Sequence, residues 1–221
     1  LQLKSADPNG MDRDVEEVIK VVKDVVDAVD IPVIIWGTSS DEKDAVLLRR
    51  TAEVCEGKNV VIGPLSEKNY KQIGAMAIAY NHSVLASSPI DVNLAKQLNI
   101  LLGNLGVMDE KILVDPTTGG LGYGLEYTYS VMERDRMAAL TQEDVKLQYP
   151  IVCNLAQEIW KTKEARLTKD DDPKLGNEKT RSILLESVSA MSLLIAGADI
   201  VIMRHPDSVA LVKEMIRELM S

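Results

Sequence analysis

Seven short aliphatic, β-branched runs recur along the chain, and their spacing constrains the fold more than any other feature. They are Leu1–Lys4, Pro32–Trp36, Val60–Gly63, Ser83–Ala86, Ile112–Asp115, Ile151–Asn154 and Ile200–Met203. Each is continuously apolar rather than alternating, as strands buried on both faces of a parallel sheet are. The first five lie roughly 30 residues apart, the length of one βαβ unit. The last two gaps are longer and leave room for insertions. The intervening segments have helical period. Val15, Val18, Ile19, Val22, Val25, Val26 and Val29 follow the i, i+3, i+4, i+7 rule, and Val209, Val212, Ile216 and Leu219 repeat it near the end. Ser187 to Ile195 is apolar nearly all round, which predicts a helix that is buried or covered by a partner. Thr168–Asn177 has no apolar period and reads as a surface loop.

Seven such repeats predict an α/β protein of the TIM (β/α)8 barrel type, a single domain over 1–221 that lacks its first N-terminal strand–helix unit. A typical barrel needs about 250 residues, the chain has 221, and it opens on Leu1-Gln2-Leu3 without an initiator Met. An open doubly wound sheet would alternate in the same way, but no dinucleotide fingerprint accompanies these strands. The apolar fraction of 46% supports a packed core and excludes disorder. No run approaches the roughly 18 apolar residues of a membrane helix. With 25 Lys and Arg against 34 Asp and Glu, the charge of −9 argues against nucleic acid as a partner. Two cysteines, Cys55 and Cys153, cannot supply the four thiolates of an iron–sulfur cluster. They read as reduced core thiols of a cytoplasmic protein.

In a barrel, function collects in the loops after the strands. Here those loops are small, polar and neutral, with few groups able to move protons near pH 7. The strongest signal is Asp115-Pro116-Thr117-Thr118-Gly119-Gly120-Leu121-Gly122-Tyr123-Gly124. Its glycines let backbone approach a ligand and expose N–H groups, so it predicts a cradle for a flat or amide-bearing ligand. The alternative is a glycine-rich turn with no ligand. The run matches neither G-x-G-x-x-G nor a Walker loop. Asp7, Asp115 and Asn154 end strands, and a carboxylate with an amide suits a pterin-like heterocycle; each also suits a loop or helix cap. His82 precedes a strand and reads as structural. His205 follows one, where it fits either the rim or a helix-entry turn before Pro206. Two distant histidines and no third ligand argue against a protein-bound catalytic metal.

The stretch Asp115 to Ser130 (DPTTGGLGYGLEYTYS), together with Ser88–Asn99 (SPIDVNLAKQLN) and Gly197–Pro206 (GADIVIMRHP), resembles the small subunit of the corrinoid iron–sulfur protein, the delta subunit of the acetyl-CoA decarbonylase/synthase complex. The resemblance runs along the whole chain. It implies a TIM barrel similar to pterin-dependent methyltransferases. It also implies a heterodimer with a large corrinoid iron–sulfur subunit that carries the [4Fe–4S] cluster, and a corrinoid (cobamide) shared between the two. The implied role is that of a non-catalytic methyl carrier in the reductive acetyl-CoA (Wood–Ljungdahl) pathway. Cobalt takes a methyl group from methyltetrahydrofolate through a separate methyltransferase and passes it to acetyl-CoA synthase/CO dehydrogenase. Barrel position then puts Thr117, Thr118, Gly119, Gly120, Leu121 and Gly122 at the corrin edge, with Ser87, Ser88 and Asn154. Two other readings are a pterin-dependent methyltransferase that binds methyltetrahydrofolate itself, and a purely structural barrel.

Overall fold

The computed structural model describes all residues from 1 to 221. Their contacts divide them into two compact units, residues 1–88 with 93–114, and residues 89–92 with 115–221.

The first unit follows the predicted alternation: α1 (Val15–Ala28), β1 (Ile34–Trp36), α2 (Asp41–Val54), β2 (Val61–Leu65), α3 (Tyr70–Ala79), β3 (Ser83–Ser87), α4 (Val92–Leu105) and β4 (Ile112–Asp115). The strands form one sheet in the order β1-β2-β3-β4. The β1–β2 and β2–β3 pairs are parallel, as short crossovers through helices require. The core lies between sheet and helices, with Ile35, Leu47, Leu48, Ile62, Leu65, Ile73, Leu85, Leu98 and Leu102 fully buried. On α1 the predicted stripe holds, because Val18, Ile19, Val22 and Val26 are its buried face. Asp14 caps that helix and Ser40 caps α2, each side chain accepting a backbone N–H of the first turn.

The run Leu1–Lys4 is not a full strand. Leu1 O accepts from Trp36 N at 2.8 Å and Trp36 O from Leu3 N at 2.8 Å, so the segment lies parallel to β1 around a single bridge at Gln2. A 3-10 turn over Lys4–Ala6 then ends the pairing.

The second unit holds α5 (Leu125–Thr141), β5 (Val152–Asn154), α6 (Leu155–Lys161), α7 (Lys163–Arg166), α8 (Glu178–Ile195), β6 (Ile200–Ile202) and α9 (Pro206–Leu219). β5 and β6 pair in parallel, Asn154 opposite Ile202. Met132, Ile151, Cys153, Leu155, Ile159, Ala190, Leu193 and Val212 form its core. On α8, Ala190 and Leu193 are buried while Leu184, Val188 and Ile195 face outward. The apolar run is therefore partly core and partly exposed. The predicted loop 168–177 contains one 3-10 turn at Pro173–Leu175. Arg181 fixes it: the guanidinium donates to the carbonyls of Glu164, Leu167, Leu175 and Gly176.

Candidate functional site

The glycine-rich segment bridges the end of β4 and the start of α5, and its backbone is consumed locally. Thr117 N–H donates to Asp115 Oδ1 at 3.1 Å, and Gly119 N–H to Thr128 Oγ1 at 2.7 Å. Leu121 N–H reaches Ser189 Oγ on α8 at 3.2 Å. The N–H groups of Tyr123 and Leu125 both turn back onto Gly120 O. This corrects the expectation that the loop exposes its N–H groups to a ligand, because at these five positions the chain itself is the partner.

The glycines have structural causes as well. A Cβ at Gly119 would stand 2.6 Å from the Gly124 carbonyl, and one at Gly120 would stand 2.7 Å from Ile159 Cδ1. Gly122 (φ +73) and Gly124 (φ +97) occupy the left-handed region that side chains disfavour. Thr117 also has positive φ, at 64°, a conformation a β-branched residue adopts only when its surroundings dictate it. The Thr128 hydroxyl does so by donating to Thr117 O at 3.0 Å.

The result is a rigid platform with an exposed tip. Thr117, Leu121, Gly122, Tyr123, Glu126 and Tyr127 are exposed, whereas Asp115, Pro116, Gly120 and Leu125 are buried. Tyr123 and Tyr127 are 57% and 62% exposed. Neither stands out from sequence spacing, yet in a chain with six Tyr, two Trp and no Phe their joint exposure is informative. Beside the tip lies a hollow of about 470 Å³ lined mainly by Leu121, Leu175, Leu184, Leu185 and Val188.

Thr118 anchors the platform to β5. Its Oγ1 accepts from Asn154 N–H at 2.9 Å. Of the predicted rim residues, the structure thus joins Thr118 and Asn154 directly. Ser87 ends β3 and Ser88 follows it, both in the other unit. Asp7 lies in that unit too, just after the 3-10 turn at Lys4–Ala6, and its carboxylate accepts from Asn9 N–H and from Ser39 N–H and Oγ–H. These bonds, that of Asn9 foremost, hold its pKa below the usual range.

His205 is the N-cap of α9, its Nδ1 accepting from Asp207 N–H at 3.1 Å. Its ring stacks on Trp160 at 5.8 Å, and the Arg204 guanidinium lies 4.9 Å from the same indole. The fully buried Glu186 on α8 fixes this turn, accepting from Arg204 N–H at 2.6 Å and His205 N–H at 3.1 Å. His82 is buried in the first unit with Nε2 2.9 Å from Ala52 O, and burial lowers its pKa. Burial raises the thiols, Cys55 to about 11 and Cys153 to about 12, so both are protonated core fillers. No three His, Cys, Asp or Glu side chains gather as metal ligands, and no helix is long and apolar enough to cross a membrane.

The model of one family, the CO dehydrogenase/acetyl-CoA synthase delta subunit, matches residues 1–218. The chain belongs to that family. Among curated relatives of this delta family, subunit delta 2 of the acetyl-CoA decarbonylase/synthase complex of Methanosarcina acetivorans is 37% identical over 224 residues, covering 99% of this chain and 51% of the relative. The delta subunit of Methanopyrus kandleri is 38% identical over 215 residues, covering 97% and 52%. The chain therefore spans about half the length of the curated relatives it matches.

Solved structures similar to this delta-family chain include two dihydropteroate synthases. That of Yersinia pestis aligns with TM-score 0.64 at 13% identity, over 100% of this chain and 82% of its own. That of Xanthomonas albilineans aligns with TM-score 0.66 at 12% identity, over 100% and 78%. At such identities the likeness concerns fold alone. It supports an α/β fold of the dihydropteroate synthase type, a TIM barrel.

Proposed function

We propose that this chain is a methyl-carrier subunit that helps bind and shield a cobamide. In this reading both units belong to one (β/α)8 barrel. The large corrinoid iron–sulfur subunit supplies the [4Fe–4S] cluster and the other side of the cobamide site in a cytoplasmic heterodimer. The methyl group comes from methyltetrahydrofolate through a separate methyltransferase and goes to acetyl-CoA synthase/CO dehydrogenase. The observation that carries this reading is the match to the delta-subunit family over residues 1–218.

The site's chemistry is compatible with the group. A corrinoid is broad, flat and edged with amides, and the platform tip offers apolar and aromatic surface at Leu121, Tyr123 and Tyr127 beside the bare backbone of Gly122. Thr117, Leu121 and Gly122 are the tip residues that would meet the ring. Thr118, Gly119 and Gly120 hold the tip in place from beneath, and Ser87, Ser88 and Asn154 add polar contacts. When bound, cobalt supplies the methyl-transfer chemistry; the chain's own residues orient the ring and exclude water from it. Nothing in the platform asks for a general base, which suits a subunit that carries rather than catalyses.

The test is a cobalt assay with a visible spectrum on the complex purified in its native form. Stoichiometric cobalt and a red corrinoid spectrum are expected. A colourless heterodimer that stays empty after incubation with cobamide refutes the reading. Micromolar binding of methyltetrahydrofolate by the chain without its partner would favour a pterin-dependent methyltransferase instead.

A further inference from the structure

Almost every polar side chain that closes a strand or opens a helix in this protein has a task within the chain. Asp7 holds Asn9 and Ser39, Asp44 holds Thr38, and Asn69 Oδ1 accepts from Ser66 N–H at 2.8 Å. Asp115 closes an Asx turn on Thr117, Asn177 caps α8, and His205 caps α9.

Asn154 differs. It ends β5 and stands at the N-cap of α6, where an Asn side chain ordinarily accepts a backbone N–H of the first turn. It makes no such bond. The residue is 7% exposed, and its Oδ1 is a buried acceptor without a partner. Its backbone is fixed by Thr118 Oγ1, and its neighbours Cys153 and Leu155 are fully buried. An apolar side chain of similar volume would satisfy that packing without leaving an acceptor idle. The amide therefore has no use that the folded chain itself supplies. Through Thr118 the residue adjoins the glycine segment assigned to the ligand.

A side-chain amide that offers one acceptor and two donors is matched by a group with the same pair in reverse, which is another carboxamide. We propose that Asn154 is a ligand-recognising residue whose carboxamide pairs with a peripheral carboxamide of the corrin ring. The proposal rests on the corrinoid reading above and adds to it the group that is read.

The experiment uses the heterodimer with its iron–sulfur partner, unchanged or carrying Asn154→Leu. Each is titrated, by visible absorbance, with intact cobamide and with cobamides in which a single side-chain amide has been hydrolysed to carboxylate. The unchanged heterodimer is expected to bind intact cobamide about tenfold more tightly than the Asn154→Leu variant. It is also expected to discriminate against one particular monocarboxylate by a similar factor, and the variant is not. The variant's thermal midpoint should equal or exceed the parent's, because the idle acceptor is gone.

Equal affinities with no discrimination among the monocarboxylates overturn the proposal while leaving the corrinoid reading intact. A midpoint several degrees lower also overturns it, since Asn154 would then have a partner within the fold. Failure of the unchanged heterodimer to bind any cobamide removes both. Loss of methyltetrahydropterin binding on Asn154→Leu, with cobamide binding unchanged, reassigns the residue to a pterin.

Discussion

Asp135 sits on the buried face of α5 with Met132 and Ala138, 3% exposed, and its Oδ1 has no hydrogen-bond partner. Burial raises its pKa from 3.8 to about 6, against the smaller pull of Arg136 and Arg134. Below about pH 4 the carboxyl is neutral whether the chain is folded or unfolded, and it exerts no pH effect. Between pH 4 and 6 the unfolded chain ionises first, so stability falls as pH rises. Above pH 6 the fold carries a poorly solvated charge. Two pKa units at about 1.4 kcal/mol each set an upper bound of about 3 kcal/mol on that loss, and water reaching the site reduces it to about 1–3 kcal/mol. Asp135→Asn keeps the shape and removes the ionisation. At pH 7.5 the variant should be more stable than the parent by about 1–3 kcal/mol, a rise of about 2–10 °C in Tm for a chain of this size. At pH 4 the two should nearly coincide. Asp44, which burial likewise raises to about 6, is common to both proteins and cancels in the difference. Urea unfolding followed by circular dichroism from pH 4 to 8 measures the difference directly. A difference independent of pH, or a variant weaker than the parent at pH 7.5, refutes the reasoning.

Alanine at the three loop glycines should destabilise in a fixed order that urea midpoints can read. Gly119→Ala drives Cβ into the Gly124 carbonyl and should lose about 2–4 kcal/mol. Gly120→Ala meets only the tip of Ile159 and should lose about 1–2 kcal/mol, and Gly122→Ala, with nothing nearby but φ +73, about 1 kcal/mol. A Gly122 variant weaker than the Gly119 variant would contradict the packing. Glu186→Ala strips two N–H groups of a buried acceptor and should cost about 2–4 kcal/mol, with faster amide exchange at 204–205 by mass spectrometry. Tyr127→Ala, at an exposed position, should change stability by under about 0.5 kcal/mol. It should nonetheless lower cobamide retention by the heterodimer several-fold in a cobalt assay.

The architecture was legible because burial on both faces writes itself into continuous β-branched runs, as at Val61–Ile62 and Val84–Leu85, and because α1 carries a clean valine stripe. The start of the chain misled because a bridging segment and a strand share the same composition; what separates them is the turn at Lys4–Ala6. The glycine loop was located correctly, but its wiring was hidden. Gly119 bonds to a hydroxyl nine residues on and Leu121 to one 68 residues on, and no local pattern announces such partners. The tip tyrosines were missed for a related reason: exposure is a property of the folded loop, and Tyr123 and Tyr127 look like core residues in sequence. Asn154 could be marked as a strand-end amide, but only the structure reveals that it does not cap.

Glu186 and Ser189 lie three residues apart on α8, on the same side and about 4.5 Å along its axis. One holds the turn entering α9, and the other holds the glycine platform. The two loops are thus moored to neighbouring points of one rigid rod, and their backbones share a single set of mechanical coordinates. A change that slides or rotates α8 shifts both together. Selection, or an engineer, seeking a different ligand has therefore to work through the exposed side chains at 117, 121, 123 and 127, which can be exchanged without moving either mooring.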